Sequence, residues 1–587
     1  MKCTSWLPSV LLALAIQAAA DVMVFNATES FDAGTYGGFP NQTFKTTSAT
    51  APLLNVKTWN KNATDDTPYI LITGQYSSGN GPYLQNGPLI YRTDDLSLVY
   101  VNTTWNESLN VAVQSYKGED YLTYWEGVNL ENNYLGWFGL YDSNYTLRYN
   151  MTSKGFNQIA DMHDFFLTSN GTALLTTYDQ VSPWDTTSVG GKVDDELMDA
   201  TFEEQDIETG DVLFTWRLSD HVPLNQTYVT YEQYGERPDG GGFDYGHINA
   251  VSKTADGNYL ASFRHLCAVI LINPDGDIVW QLGGKVNNFT DMSGGRATDF
   301  CFQHDAHFSS EDLTEVTLFD NAHMDTEVNV TDNRNNSRAL HLKLDYENMT
   351  ATIIHEYYHP DRVVAAAMGG YQTLFNGNKF VAWGFQPTIT EFTEDGEVVL
   401  DLQLGPYGFP THEAPEIYRA KKFNWVGTPT WGPSIAGSES NGTNRGVYLS
   451  WNGATEVKEW AVLSDNSTDN LDGYSKVVAR SPRNGFETFV NVTSPNRYMR
   501  AAALDADSKI LGSTDAVDMS TGEVIQVNGA VTGVDQPPPS ATTSSGATLT
   551  GSAGSGETSA EGGVGRVGED IGTLAVGLTA LVGYLVL

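Results

Sequence analysis

Apolar residues in this chain come in short runs separated by Gly beside Asp or Asn, and no sustained period of 3.6 residues interrupts that plan. Residues 243–284, "FDYGHINAVSKTADGNYLASFRHLCAVILINPDGDIVWQLGG", show it most clearly. The runs Tyr259–Phe263 and Ala268–Ile272 are bounded by Asp256-Gly257-Asn258 and Asp275-Gly276-Asp277. Gly enters positive φ without a Cβ clash and Asp or Asn bonds its own backbone, so both triplets predict tight turns. The stretch predicts a short antiparallel sheet carrying His247, Asn249 and Arg264 near its edges. "NGNKFVAWGFQPTITEFTEDGEVVLDLQLG" repeats the design, and Gly257 to Gly276 and Gly377 to Gly396 span the same nineteen residues. A sheet unit that recurs along a chain marks a β-propeller.

The same rhythm covers most of the sequence. "YILITGQ", "PLIYRTDDLSLVYVN", "EDYLTYWEG" and "GWFGLYDSNYTLRY" predict a β meander ahead of residue 150, and "RALHLKLDYENMTATIIHEYYHP" predicts a hairpin. "NRGVYLSWNGATEVKEWAVL", "FETFVNV" and "YMRAAALDADSKILGST" predict the closing blades, with the all-β propeller occupying 21–531. Residues 181–206 read as a polar insertion with no assigned element.

The termini change the setting. Lys2, an apolar run over 6–19 and small residues up to Ala20 predict a secretory signal peptide, 1–20. Its removal takes Cys3, and in an oxidising compartment the remaining pair, Cys267 and Cys301, is most simply read as one disulfide. Sixteen N-x-S/T sequons point to heavy N-glycosylation: Asn26, Asn41, Asn62, Asn102, Asn106, Asn144, Asn150, Asn170, Asn225, Asn288, Asn329, Asn335, Asn348, Asn441, Asn466 and Asn491. Residues 532–570 are rich in Ser, Thr, Gly and Pro and predict a disordered, extended stalk. The apolar tail 571–587 falls short of the ~20 residues that span a ~30 Å bilayer core. With the small residues of 554–563 ahead of it, the tail reads as a GPI-attachment signal, or alternatively as a plain tail anchor. The chain is thus expected in the secretory pathway and at the extracellular face of the plasma membrane or in the cell wall. With 72 acidic against 32 basic residues, a formal charge of -40 excludes nucleic acid, acidic polysaccharide and anionic lipid as favoured partners.

Among eleven histidines, His163, His247 and His304 stand out because each sits just ahead of a predicted strand in a different sheet unit. In a propeller such positions converge at one mouth of the central channel. Imidazole serves there as nucleophile or proton carrier, and the Arg264 guanidinium holds a tetrahedral oxyanion through paired N–H donors. Asn249 follows His247 by two residues and shares its strand face. Two metal motifs compete. His355-Glu-Tyr-Tyr-His359 matches H-E-x-x-H, but it follows a β-branched run and is stopped by Pro360; in an extended chain the imidazoles lie ~13 Å apart, too far for one zinc ion. His304-x-x-His307 with Asp305 is a possible ligand set and would make the chain a metal-dependent hydrolase. A propeller that only binds a glycan or an aromatic ligand is the non-catalytic alternative. Trp184, Tyr245 and Trp383 are candidate rings for stacking on a phenol.

"MHDFFLTSNGTAL", "GFDYGHINAV…GNYLASFRH", "FCFQHDAHF" and "LFDNAH" together resemble the arylsulfotransferases, strongly over residues 161–323, and look most like the secreted fungal branch. The resemblance implies a six-bladed propeller that moves a sulfuryl group from a phenolic sulfate donor to a phenolic acceptor in a ping-pong reaction. It implies no cofactor: neither 3'-phosphoadenosine phosphosulfate nor a metal. By position, His304 would be the transiently sulfated nucleophile, His247, Asn249 and Arg264 would bind sulfuryl oxygens, and His163 would act as acid or base toward the phenol.

Overall fold

The computed structural model describes residues 24–75, 87–102, 107–130, 133–156, 159–235, 241–322, 336–407, 413–438 and 445–534. The expected leader, nearly all of the stalk, the apolar tail, His323 and the sequons at Asn106, Asn329, Asn335 and Asn441 lie outside them. The described part is all-β, with helix confined to single turns. No helix among the described residues is long and apolar enough to cross a membrane.

Six sheets follow one another along the chain, antiparallel except where Thr290–Asp291 pairs parallel to Thr350–Tyr357 at the edge of the fourth. The first four open with Glu107–Tyr116, Phe165–Leu167, Ile248–Lys253 and His304–Phe308, and each continues strand by strand outward. The fifth opens with Gly370–Thr373 and gains Asn55–Trp59 from the chain start as its outer strand. The sixth opens with Glu416–Phe423, paired to Tyr69–Gln75, then Leu89–Arg92 and Leu98–Val101. These six opening strands contact one another in sequence, and the sixth returns to the first. Apolar clusters fill each space between successive sheets, from Phe138 against Phe165 round to Leu71 against Val111. Each sheet is therefore covered on both faces, which is why a run such as Ala268–Ile272 is apolar throughout instead of alternating. A large side chain buried this way contributes roughly 1.5–3 kcal/mol.

Both glycine pairs turn as their spacing requires: Gly257, Gly276, Gly377 and Gly396 have φ of +93°, +94°, +89° and +89°. Two expectations are corrected. Residues 181–206 are not an irregular insertion; Thr172–Trp184 and Asp195–Asp206 form the long central hairpin of the second sheet. Asp185, Asp194 and Glu196 are exposed, but Asp199, Glu203 and Glu204 are buried and partnered: Glu204 takes Lys253, Thr172 and Tyr259, and Asp199 takes Ser219 and Arg217. The strands after residue 430 do not close the ring of six either. Ser434–Gly437, Arg445–Ser450 and Thr488–Val492 form one sheet, while Glu459–Asp465, Val477–Pro482 and Tyr498–Leu504 belong to another, with apolar cores of their own. Closure falls instead to the pairing of Glu416–Phe423 with a strand from near the chain start. Of the described sequon asparagines, Asn102 and Asn144 are half-buried and the rest exposed.

Candidate functional site

Four opening strands are irregular at their first residues. Register shifts fall between Leu109 and Ala112, Ile248 and Ala250, His304 and His307, and Ile417 and Arg419. Asn110, His247 and Asp305 there have φ of 54°, 55° and 54°. Bulges of this kind re-aim side chains, and a positive φ on a residue other than Gly is held only where surrounding bonds enforce it.

Two of the expected histidines are each fixed by an aspartate just upstream. Asp161 Oδ2 accepts the His163 amide at 3.0 Å and lies 2.6 Å from His163 Nδ1. Asp244 accepts the His247 amide at 3.0 Å through Oδ1 and meets His247 Nδ1 at 2.6 Å through Oδ2. Each Nδ1–H donates to a carboxylate, so Nε2 is the nitrogen left to exchange a proton. The two rings meet edge to face, with centroids 4.8 Å apart.

Arg264 directly follows the strand Tyr259–Phe263, and its amide donates to His247 O at 2.8 Å. Its Nη1 donates to His265 Nε2 at 2.9 Å and its Nη2 to Ala366 O at 3.0 Å. Because a guanidinium only donates, His265 Nε2 is an acceptor and His265 Nδ1–H donates to Asp244 O at 2.8 Å. Burial, outweighing the Asp244 carboxylate, holds the His265 pKa well below the usual imidazole range.

His304 lies 2% exposed at the start of its strand. Its Nδ1 meets Asn321 Oδ1 at 2.8 Å, and Asn321 Nδ2 donates to Ala365 O and Met368 O at 2.8 and 3.0 Å. Those carbonyls fix Asn321 Oδ1 as the acceptor, so His304 carries its proton on Nδ1. Its Nε2 accepts only a long bond, 3.3 Å, from the Met368 amide. Burial first, then the Arg264 and Arg419 cations, hold its pKa well below the usual range, against the pull of Asn321. His304 is a neutral imidazole with its lone pair on Nε2.

Asn249 is fully buried; its Nδ2 donates to Gln303 O at 2.6 Å, beside His304, and its Oδ1 has no hydrogen-bond partner among the described residues. Cys267 and Cys301 are joined in a disulfide that ties the turn after Arg264 to the segment before His304. The structure thus brings His163, His247, Arg264, Asn249 and His304 together. It also supplies residues the sequence reading missed: Asp161, Asp244, His265, Asn321 and Arg419. The two aspartates were legible as Asp-x-His and Asp-x-x-His; nothing local marked Asn321 or Arg419.

The expected stacking rings are elsewhere. Trp383 and Tyr245 are core residues bonded to Thr390 Oγ1 and Val222 O, and Trp184 packs on an apolar cluster. Tyr178 and Tyr418 are the rings beside His163, each with centroids 6.2 Å away. His304, Asp305 and His307 do not converge on one ion. His304 turns to Asn321, while Asp305 meets His307 at 3.2 Å and Lys421 at 3.3 Å. His355 lies in the strand Thr350–Tyr357, not on a helix. Asp244, His247 and His265 are the one cluster among the described residues close enough to hold a metal, but His265 spends both nitrogens on Asp244 O and Arg264.

The chain resembles solved structures only distantly. A protein of unknown function from Bacteroides caccae is 15% identical over 60% of this chain and 99% of its own, at a TM-score of 0.34. Catalytically inactive virginiamycin B lyase from Staphylococcus aureus is 9% identical over 68% and 96%, at 0.30. A luciferin-regenerating enzyme is 10% identical over 67% and 92%, at 0.26. TM-scores this low assign nothing to the chain. No curated protein matches it. The model of one family, described as Arylsulfotransferase (ASST), matches residues 112–405, half of the chain and the segment that holds His163, His247, Asn249, Arg264 and His304. The chain belongs to the arylsulfotransferase (ASST) family.

Proposed function

We propose that the chain is a six-bladed propeller, secreted and held at the cell surface by a C-terminal lipid anchor, that moves sulfuryl groups between phenols through a sulfated His304. The ring of six opening strands and the six intervening apolar layers support the architecture. One observation carries the chemistry: a buried, neutral His304 whose proton is pinned to Asn321, whose Nε2 has only a long bond from the Met368 amide, and whose ring feels Arg264 and His163, the latter against His247.

In the first half-reaction the Nε2 lone pair attacks sulfur and the bond from sulfur to the aryl oxygen breaks. His163 enters the cycle as the imidazolium paired with Asp161, and the leaving phenolate takes its Nε2 proton and leaves it neutral. The new N–S bond puts positive charge on the imidazole, shared with Nδ1–H and Asn321 Oδ1. In the second half-reaction His163 takes the proton of an incoming phenol, whose oxygen attacks sulfur as the N–S bond breaks and neutral His304 returns. Charge develops on the sulfuryl oxygens, where Arg264 Nε–H, with no hydrogen-bond partner among the described residues, supplies a donor already in place and His247 donates from Nε2 when it is the imidazolium paired with Asp244. Each half-reaction conserves the sulfuryl group, so a phenolic sulfate is the only donor required.

The test is transfer from p-nitrophenyl sulfate to a second phenol by the purified chain, with and without chelator. Chelator-insensitive transfer that disappears in His304→Ala is the expected result. Chelator-sensitive hydrolysis without transfer would overturn it in favour of a metal-dependent hydrolase.

A further inference from the structure

Residues 366–369 bind Arg264, His304 and Arg419 together. Ala366 O takes Arg264 Nη2, the Met368 amide donates to His304 Nε2, and Gly369 O takes Arg419 Nη1 at 2.6 Å. Met368 and Gly369 hold this segment in place with φ of 63° and 101°. Arg264 and Arg419 are therefore fastened three residues apart on one short segment, with the His304 contact between them.

Arg419 comes from the sixth sheet, outside the segment that matches the family model. It is 1% exposed. Its Nη1 also donates to Tyr418 O at 3.2 Å, and its guanidinium lies 4.5 Å from the Tyr418 ring centroid. Its Nε and Nη2 have no hydrogen-bond partner among the described residues. Asp305 Oδ1 lies 3.4 Å from Nε as an ion pair, but the same oxygen is shared with Lys421 and His307, so one carboxylate faces Arg419, Lys421 and an imidazole. Burial alone would push the Asp305 carboxyl up; Lys421 and then Arg419 outweigh it and hold it well below the usual range. The surroundings are shaped for the guanidinium: a Cβ on Gly370 would stand 3.1 Å from Arg419 Cδ and 2.7 Å from Asp305 Oδ2. Nε thus leans on a carboxylate shared three ways and Nη2 has no partner among the described residues, and a buried cation so incompletely bonded is costly unless a ligand completes it.

We propose that Arg419 is a second catalytic guanidinium, its Nε and Nη2 edge taking oxygens of the sulfuryl group on the side of His304 away from Arg264. The proposal rests on the sulfuryl-transfer reading. Two planar forks flanking one imidazole would hold the three equatorial oxygens as charge gathers on them.

Full-length wild type, Arg419→Lys, Arg419→Gln and Arg419→Ala are compared for transfer from p-nitrophenyl sulfate and for thermal midpoint. Calorimetry measures binding of p-nitrophenyl sulfate in a His304→Asn background with and without Arg419→Gln. Losing one oxyanion donor costs roughly 100-fold or more in kcat, so that drop is expected in Arg419→Gln. Arg419→Lys should recover little of it, because an ammonium lacks the fork, and added ethylguanidinium should restore turnover to Arg419→Ala. Wild-type turnover in Arg419→Gln, or in Arg419→Lys should the other variants unfold, would overturn the proposal. If wild type transfers nothing, the parent reading fails, and calorimetry still decides: unchanged aryl sulfate affinity after Arg419→Gln excludes Arg419 from the binding site.

Discussion

Replacing Asn321 by Asp keeps shape and volume while changing two things that the site depends on. A carboxylate still accepts His304 Nδ1–H, now with a full negative charge in place of the amide oxygen at 2.8 Å. It cannot donate, so Ala365 O and Met368 O lose the Asn321 Nδ2 bonds. Ala365 O keeps Ser337 Oγ at 3.4 Å, which leaves Met368 O as the orphan. The Asp oxygen that replaces Nδ2 faces both carbonyl oxygens, so the cost is at least the about 1–3 kcal/mol of one unsatisfied buried carbonyl, and the variant should fold with a lowered thermal midpoint. A negative charge this close raises an imidazole pKa by about 1–3 units. In the wild type, burial and the two arginines keep His304 neutral far into the acid range; in Asn321→Asp protonation should reach it nearer neutrality. The assay is kcat against pH for sulfuryl transfer. The acid limb should move up by about 1–3 units, with the alkaline plateau far less affected. An unmoved acid limb in a folded variant would refute both the tautomer assignment and the role of His304 as the group that must be deprotonated.

Asp161→Asn should leave His163 in place but free to hold the wrong tautomer, lowering transfer by about 10²–10⁴-fold with the fold intact; retained turnover would remove His163 from proton transfer. The acid stability of the whole chain follows from its buried imidazoles. His265, His304 and His341 all have folded pKa values depressed by burial, so their neutral forms stabilise the fold above the unfolded value of about 6.5 and that contribution is lost as pH falls below it. The expected slope is up to ~1.4 kcal/mol per pH unit for each group, read from denaturant midpoints between about pH 6.5 and 5. Burial also raises Glu126 to about 7 and Asp199 to about 6, and their protonation stabilises the fold in this window with the opposite sign, so the histidine share is read in a Glu126→Gln, Asp199→Asn background, where a flat profile would contradict the neutral assignments. Asp305, depressed instead, acts only below the ordinary carboxylate range.

Local chemistry was readable along the chain, and long-range closure was not. Tyr259–Phe263 and Ala268–Ile272 are strands with the bounds their apolar runs indicate, because strands packed on both faces leave no polar residue to blur the edges. Glu203 and Glu204 misled for the opposite reason: acidic residues look like surface until Ser153, Lys253 and Tyr259 appear beside them, and those partners come from distant loops and strands. Arg419 gave no local sign. Its strand pairs with Tyr69–Gln75, more than three hundred positions earlier, and only that pairing puts it next to His304. Asn321 is likewise an ordinary loop amide in sequence and becomes the tautomer lock because Ala365 and Met368 return past it. The histidines were found because each opens a strand, and opening strands meet at the ring.

The most direct test traps the intermediate. Purified chain is mixed with p-nitrophenyl sulfate without acceptor, quenched under alkaline conditions that preserve N–S bonds, digested and analysed by mass spectrometry. A mass gain of one SO3 group on the peptide bearing His304, discharged on adding a phenol, is the predicted result. A burst of p-nitrophenol with no label on that peptide, or label on another residue, would contradict the account.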